Sequence, residues 1–90
     1  MENRVLTLEE LIALDTGAPI YVETSPELPS EMALSSPWHT RDYREGAPVL
    51  TSTAIPWHHL PLTGRTFYGE IWRVWLREPT PAELSANPWP

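Results

Sequence analysis

The sequence predicts a small α+β protein: a short N-terminal helix, a small curled antiparallel sheet of three to five strands, and a short C-terminal helical turn. Two observations support this class. A helix-capping motif near the start of the chain, Thr7–Glu10, is repeated near its end, at Thr80–Glu83. Between them, segments rich in β-branched and aromatic residues alternate with proline and glycine, as strands alternate with turns. Ninety residues suffice for a single domain, 1–90, with one core.

The first helix is predicted over residues 8–14. Thr7 suits the N-cap position, because its hydroxyl can accept from the backbone N–H of Glu10 while the Glu10 carboxylate accepts from that of Thr7. Gly17 follows as a candidate stop. A helix of two turns is unstable alone, so we expect it to pack on the sheet.

Two strands and a long connection are predicted next. Pro19–Thr24 alternates, with Ile20 and Val22 on one face. Residues 25–48 begin with a segment rich in proline and serine and are predicted to form a largely irregular loop. Val49–Ile55 is β-branched and bounded by prolines, which favours a short strand or a strand at the edge of the sheet.

The longest strand is predicted over Thr66–Arg77, which is rich in aromatic and aliphatic residues. Because it is apolar on both faces, we expect it to be central or covered. Gly69 within it indicates a bulge. Thr80 and Glu83 then repeat the capping motif, with proline at the first helical position, and predict one helical turn that ends at Ala86.

The charge balance excludes several kinds of partner. Twelve carboxylates stand against six arginines and no lysine, for a net charge of −6. Duplex nucleic acid and anionic membrane surfaces are bound through several cationic contacts, so we expect neither. No run approaches the roughly 20 apolar residues of a membrane span, and no signal segment opens the chain, which predicts a cytoplasmic location. The absence of cysteine excludes disulfides and thiolate metal sites.

The sequence offers no catalytic constellation. Its serines lie in no G-x-S-x-G elbow and its four glycines form no phosphate loop. We therefore expect a non-enzymatic protein without catalytic residues or cofactor. The adjacent His58 and His59 lie in a predicted loop, with His39 elsewhere, but their spacing matches no known metal site, so no metal is expected.

Segments near both ends of the chain resemble a group of small uncharacterised accessory proteins in phages and prophages of gut Firmicutes. These segments are residues 6–11, 19–23 and 68–73, with 77–79 following. The resemblance implies a phage accessory protein that acts inside a bacterial host cell, and interference with host defence is the role we expect from it. It transfers no catalytic residues.

The combination of tryptophan and arginine is the most unusual feature. Five tryptophans in ninety residues is several times the usual frequency. Trp72 is expected in the core, whereas Trp57, in a polar loop beside two histidines, is suited to stacking. Arg73 and Arg77 alternate with Trp75 on the predicted long strand. These three residues form either a cation–π ladder that solvates one face or a platform for a planar anion.

The leading hypothesis is capture of a small nucleotide-like ligand, through stacking on tryptophan and pairing of phosphate with arginine. A phage protein of this kind could sequester an immune signalling nucleotide. The predicted ligand-binding residues are Trp57, His58, His59, Arg65, Arg73, Trp75 and Arg77.

Two alternatives remain open. The protein could be an acidic inhibitor that covers a basic channel of a host defence protein, with exposed tryptophans as hot spots. It could also be a structural or assembly protein of the virion. Arginines converging on an aromatic pocket favour the nucleotide, and a continuous acidic face favours the inhibitor. A homo-oligomer, most simply a dimer, is expected because a small sheet with five tryptophans leaves an apolar patch.

Overall fold

The computed structural model describes residues 3–28, 36–55 and 59–89. Two short helices and five strands occur there, and the strands form one antiparallel sheet of order β4-β3-β2-β1-β5. The elements in chain order are α1 (Leu8–Ala13), β1 (Pro19–Thr24), β2 (Trp38–Arg44), β3 (Ala47–Ser52), β4 (His59–Pro61), β5 (Trp72–Trp75) and α2 (Pro81–Ala86). The α+β class, with one short helix before the strands in the chain and one after them, is confirmed.

Both helices begin at the predicted capping boxes. At α1, the Thr7 hydroxyl accepts from the Glu10 N–H at 3.1 Å, and the Glu10 carboxylate accepts from the Thr7 N–H at 2.9 Å. At α2, the matching distances between Thr80 and Glu83 are 3.2 Å and 2.8 Å. Helix α1 ends at Ala13, one residue before the predicted boundary.

Strand β1 has the predicted bounds and defines the two faces of the sheet. Ile20 and Val22 are buried on one face and pair with His39 of β2 and Val74 of β5. Because directly paired residues of antiparallel strands share a face, this side, which packs against α1, is called the core face. Its apolar cluster consists of Leu6, Leu11, Ile20, Val22, Leu50, Leu62, Trp72 and Val74. The opposite side is called the polar face.

The prediction of an irregular loop over residues 25–48 is wrong for its second half, because Trp38–Arg44 forms the seven-residue strand β2. Its pattern escapes a hydrophobicity search because two of its core-facing residues, His39 and Arg41, are polar. They are 2% and 0% exposed. The alternation of a strand is present, but the buried positions carry a histidine and an arginine.

Arg41 is buried beneath α1 and bonds to the carbonyl groups at the end of that helix. Its Nε donates to Leu11 O at 3.2 Å, and a terminal nitrogen donates to Ile12 O at 2.7 Å. The last carbonyls of a helix have no partner within the helix, so this guanidinium supplies the hydrogen bonds they need. Arg41 therefore joins α1 to the centre of the sheet.

The remaining strands differ from their predicted positions. Strand β3 ends at Ser52 rather than Ile55 and lies between β2 and β4, so the edge position predicted for it is wrong. Strand β4 was not predicted, because its three residues are too few to show a pattern. Proline at position 61 is compatible with the edge position that β4 occupies.

The strand predicted over Thr66–Arg77 is wrong in length, because only Trp72–Trp75 is extended. It lies at the other edge of the sheet, beside β1, and all four of its residues are buried, so of the two predicted positions it is covered rather than central. The preceding residues form a turn with φ of 60° at Phe67 and 83° at Gly69. The Gly69 N–H donates to Trp72 O at 2.7 Å across this turn. Trp72 lies in the core, as predicted, and its indole N–H donates to a backbone carbonyl of the same turn.

Candidate functional site

The polar face carries two neighbouring groups of side chains. The first, called the Glu23 cluster, consists of Glu23, Arg73, Trp75 and Trp89. The second, called the Trp38 surface, consists of Tyr21, Trp38, Thr40, Asp42, Thr51 and His59. Tyr21 pairs with Trp38 on one side and with Trp75 on the other, so the two groups adjoin at β1.

The Glu23 carboxylate is the centre of its cluster. Its Oε1 accepts from Arg73 Nε and from Trp75 Nε1, both at 2.8 Å, and its Oε2 accepts from Trp89 Nε1 at 3.0 Å. The Arg73 guanidinium carbon lies 4.3 Å from the ring centre of Trp89 and 5.6 Å from that of Trp75. Arg73 also donates to Asn87 O at 2.7 Å. The guanidinium thus contacts two indoles, a carboxylate and a carbonyl.

The electrostatics of this cluster favour a fixed negative charge. Burial raises the pKa of Glu23, but hydrogen bonds from Arg73, Trp75 and Trp89 outweigh it, so the pKa lies below its ordinary value. Glu23 is therefore ionised at neutral pH. A phosphate that approached Arg73 would meet this carboxylate, and Trp75 has no exposed area to offer a ligand.

The residues predicted to bind a nucleotide are distributed over several parts of the structure. Arg73 and Trp75 are in contact, but their planar and anionic partners come from the chain itself. Arg65 lies over the Phe67 ring, 4.7 Å from its centre, in the turn before β5. Arg77 forms an ion pair with Glu83 of α2 at 3.6 Å. These three arginines contact different groups.

The predicted site also includes Trp57, His58 and His59. His59 lies on β4 and contributes to the Trp38 surface. Trp57 and His58 lie outside the described residues.

An aromatic pair forms one end of the Trp38 surface. The rings of Tyr21 and Trp38 meet edge to face, with centres 5.2 Å apart and an interplanar angle of 87°. Trp38 keeps 39% of its surface exposed. Burial raises the pKa of Tyr21, and the negative charges of Glu78 and Glu23 raise it further. The exposed indole is therefore in contact with a tyrosine that interacts with two carboxylates.

A hydrogen-bonded row forms the other end of this surface. The Thr51 hydroxyl lies 3.0 Å from Asp42 Oδ2 and 3.0 Å from His59 Nδ1. A backbone hydrogen bond from Tyr43 lowers the pKa of Asp42, and Thr51 and the charges of Arg44 and His59 lower it further. Because ionised Asp42 can only accept, Thr51 donates to it and His59 Nδ1–H donates to Thr51.

This order differs from that of a catalytic triad. In a triad the imidazole lies between the hydroxyl and the carboxylate and removes the hydroxyl proton. In the row described above, the Thr51 hydroxyl lies in the middle, and the His59 nitrogen that faces it carries a proton. The row consequently orients His59 through its Nδ1–H, and it does not activate Thr51.

Within residues 3–28, 36–55 and 59–89, no three His, Asp or Glu side chains are placed to share a metal ion. No helix in the same part of the chain is long and apolar enough to cross a membrane. The structure defines a small α+β protein whose sheet has one face against a helix and one face that carries aromatic, carboxylate and arginine side chains. Comparisons with family models, curated proteins and solved structures gave no significant match.

The sequence hypothesis missed the Tyr21–Trp38 pair and the row from Asp42 to His59. Both depend on the pairing of β2, and residues 38–44 were predicted as loop. A signal was nevertheless present: Trp38, Thr40 and Asp42 recur at every second position, as residues on one face of a strand do.

Proposed function

We propose that this chain is a non-enzymatic binding protein that attaches its Trp38 surface to a basic region of a partner protein. The observation that supports it is the exposed indole of Trp38, which meets the Tyr21 ring edge to face on the same surface as Asp42. Tryptophan and tyrosine are frequent hot spots of protein interfaces. Their ring faces attract guanidinium and ammonium groups, and neighbouring carboxylates strengthen that attraction.

The Asp42–Thr51–His59 row supports the same class of partner. Asp42 is half-buried and ionised. It lies on the same face of β2 as Trp38, four residues further along the strand. In neutral His59, the unprotonated Nε2 accepts hydrogen bonds. The ionised Asp42 carboxylate, which only accepts, suits lysine and arginine side chains, which only donate.

The positions of the arginines favour an anionic ligand less than the Trp38 surface favours a basic partner. Four arginines bond to carboxylates or carbonyl oxygens of this chain: Arg4, Arg41, Arg73 and Arg77. Phosphate recognition needs cationic groups that converge on one point. Capture of a nucleotide remains a prediction for Trp57 and His58.

The resemblance of the chain ends to phage accessory proteins extends the proposal to a host target. A nucleic-acid channel of a host defence protein is basic, and an acidic aromatic face of this kind would cover it. The cytoplasm of the bacterial host is the compartment in which such an inhibitor would act.

Native mass spectrometry of the protein isolated from the cells that make it tests this proposal. We expect a bound basic protein that is released as salt concentration rises. Trp38→Ala should weaken the complex by about 2 kcal/mol, roughly 30-fold, with little change in melting temperature, because Trp38 is well exposed.

Phe67→Ala is the matched control. Phe67 is 40% exposed, as Trp38 is, but lies in the turn before β5. The variant should keep the partner. A bound nucleotide in place of a protein, or equal loss of the partner in both variants, would contradict the proposal.

A further inference from the structure

The Trp89 indole is held in the way a protein holds a ligand. Its ring lies over the Arg73 guanidinium, and its N–H donates to Glu23 Oε2 at 3.0 Å. Two residues earlier, Asn87 O accepts from the same guanidinium at 2.7 Å. The contacts engage a carbonyl and, two residues later, an indole, and both belong to the Asn-Pro-Trp segment 87–89.

The groups that receive this segment are fixed by the sheet. Glu23 on β1 pairs with Arg73 on β5, and Tyr21 pairs with Trp75 in the same ladder. The Arg73 side chain is 7% exposed and bonds to Glu23 Oε1, to which Trp75 also donates. The carboxylate and the guanidinium are therefore oriented by partners other than Trp89.

The segment that fills this site is weakly attached elsewhere. The apolar core cluster contains no residue of the range 76–89, and α2 has no buried residue. Asn3 connects to it by donating to Arg77 O at 3.1 Å and to Glu83 Oε1 at 3.3 Å. The start of this range is anchored, because Pro79 is buried and Asn3 is 3% exposed. Residues 80–89 include no buried residue, so they open at a lower free energy than the core does.

We propose that the Glu23 cluster is a binding site for Xaa-Pro-Trp segments, filled by residues 87–89 of the same chain and open to an equivalent segment from another polypeptide when these residues detach. The other polypeptide is a second copy of this chain, because each copy carries the segment that the site already holds. This site is distinct from the Trp38 surface, and its test is independent of the proposed function.

Titration of an amidated peptide with the sequence of residues 85–89 tests the proposal. Trp89→Ala empties the site, and circular dichroism checks that the variant is folded. We expect this variant to bind the peptide at millimolar concentration or below, and the intact protein to bind at least roughly tenfold more weakly, because its own Trp89 competes at a high effective concentration.

Two controls make the result specific. A peptide with alanine in place of tryptophan should not bind, and Glu23→Gln combined with Trp89→Ala should remove binding of the tryptophan peptide. If Trp89→Ala does not fold, Trp89→Phe replaces it, since it keeps a ring but lacks the N–H. Equal binding of the two peptides by a folded variant would overturn the proposal.

A mixing experiment tests whether a second copy supplies the segment. Glu23→Gln retains the segment but has an impaired site, whereas Trp89→Ala retains the site but lacks the indole. If the segment comes from a second copy, the mixture forms a heterodimer that neither variant forms alone. Peptide binding without heterodimer formation would exclude a second copy as the source of the segment.

Discussion

Arg41 lies on the core face with no exposed surface, and the carbonyl groups of Leu11 and Ile12 accept its hydrogen bonds. A buried charge is stable only where its hydrogen bonds are made. Arg41 also lies 4.5 Å from the ring centre of Tyr43. Arginine is usually exposed to solvent on a strand, but Arg41 is part of the contact between helix and sheet.

Arg41→Met should therefore destabilise the protein strongly. The variant removes hydrogen bonds from a charged donor to the Leu11 and Ile12 carbonyls, of which Leu11 O keeps only the N–H of Leu14, and this should lower the free energy of unfolding by about 3 kcal/mol. Urea unfolding followed by circular dichroism measures this. Arg44→Met, at an exposed position of the same strand, should change stability by less than about 0.5 kcal/mol. Similar losses in both variants would contradict the role of Arg41.

Glu23→Gln tests the central carboxylate of the polar face at the same scale. The neutral amide has one acceptor oxygen in place of two and an NH2 group that cannot accept from Arg73, Trp75 or Trp89, so the free energy of unfolding should fall by about 2 kcal/mol at neutral pH. Glu9→Gln, at an exposed position of α1, is the control and should have little effect. Urea unfolding that gives equal midpoints for the two variants would show that the cluster does not stabilise the fold.

At the scale of elements, local chemistry was predictable and pairing was not. The capping boxes at Thr7 and Thr80 and the alternation of β1 depend on residues within a few positions of each other. Strand β2 depends on α1 to satisfy Arg41, a contact between residues about 30 positions apart. Strand β5 is short because the chain turns at Gly69, although the composition there favours continued extension.

Thr7→Ala should destabilise the protein by about 1 kcal/mol, since it removes the N-cap acceptor of α1. Binding through the polar face should be unchanged because α1 packs on the core face. Thermal unfolding compares this variant with Thr16→Ala, which is exposed and outside both helices. Loss of binding at full stability would contradict this prediction.

The same capping box predicts a loss of stability in acid. The hydrogen bond from Arg4, followed by the one from the Thr7 backbone, lowers the pKa of Glu10 from 4.5 to about 2. Because the pKa is lower in the folded state, the stabilisation is complete above pH 4.5 and is lost as the pH falls from 4.5 to about 2. Urea midpoints over this range should fall less for Glu10→Gln than for the unchanged protein. Urea midpoints that fall in parallel with pH for the two proteins would refute this role of Glu10.

At the scale of the whole molecule, the candidate site was only partly predictable. The contact between Arg73 and Trp75 follows from their spacing on one strand. The partners of these residues do not follow from spacing, because Glu23 lies 50 positions from Arg73 and 66 from Trp89. Strand order decides which groups bond to an arginine. Here β1, near the start of the chain, lies beside β5, near its end.

The expected dimer remains a prediction. Apolar side chains stay exposed at several places on the described surface, namely Trp38, Tyr43, Phe67, Leu76 and Leu84. The radius of gyration is 12.6 Å, close to the roughly 12 Å of a compact chain of this length, so association would join compact protomers. Light scattering at high micromolar concentration should give twice 10.3 kDa, and a mass near 10.3 kDa would exclude a stable dimer.

The measurement that tests the proposed function most directly is an NMR titration of the labelled protein. A short arginine-rich peptide and a mononucleotide are added in separate experiments. We expect the peptide to shift the resonances of the Trp38 indole N–H and of the backbone amides of Tyr21, Asp42 and Glu78. Salt should weaken this effect, and Trp38→Ala should abolish it. Resonance shifts produced by the nucleotide, with none produced by the peptide, would contradict the proposed binding of a basic partner.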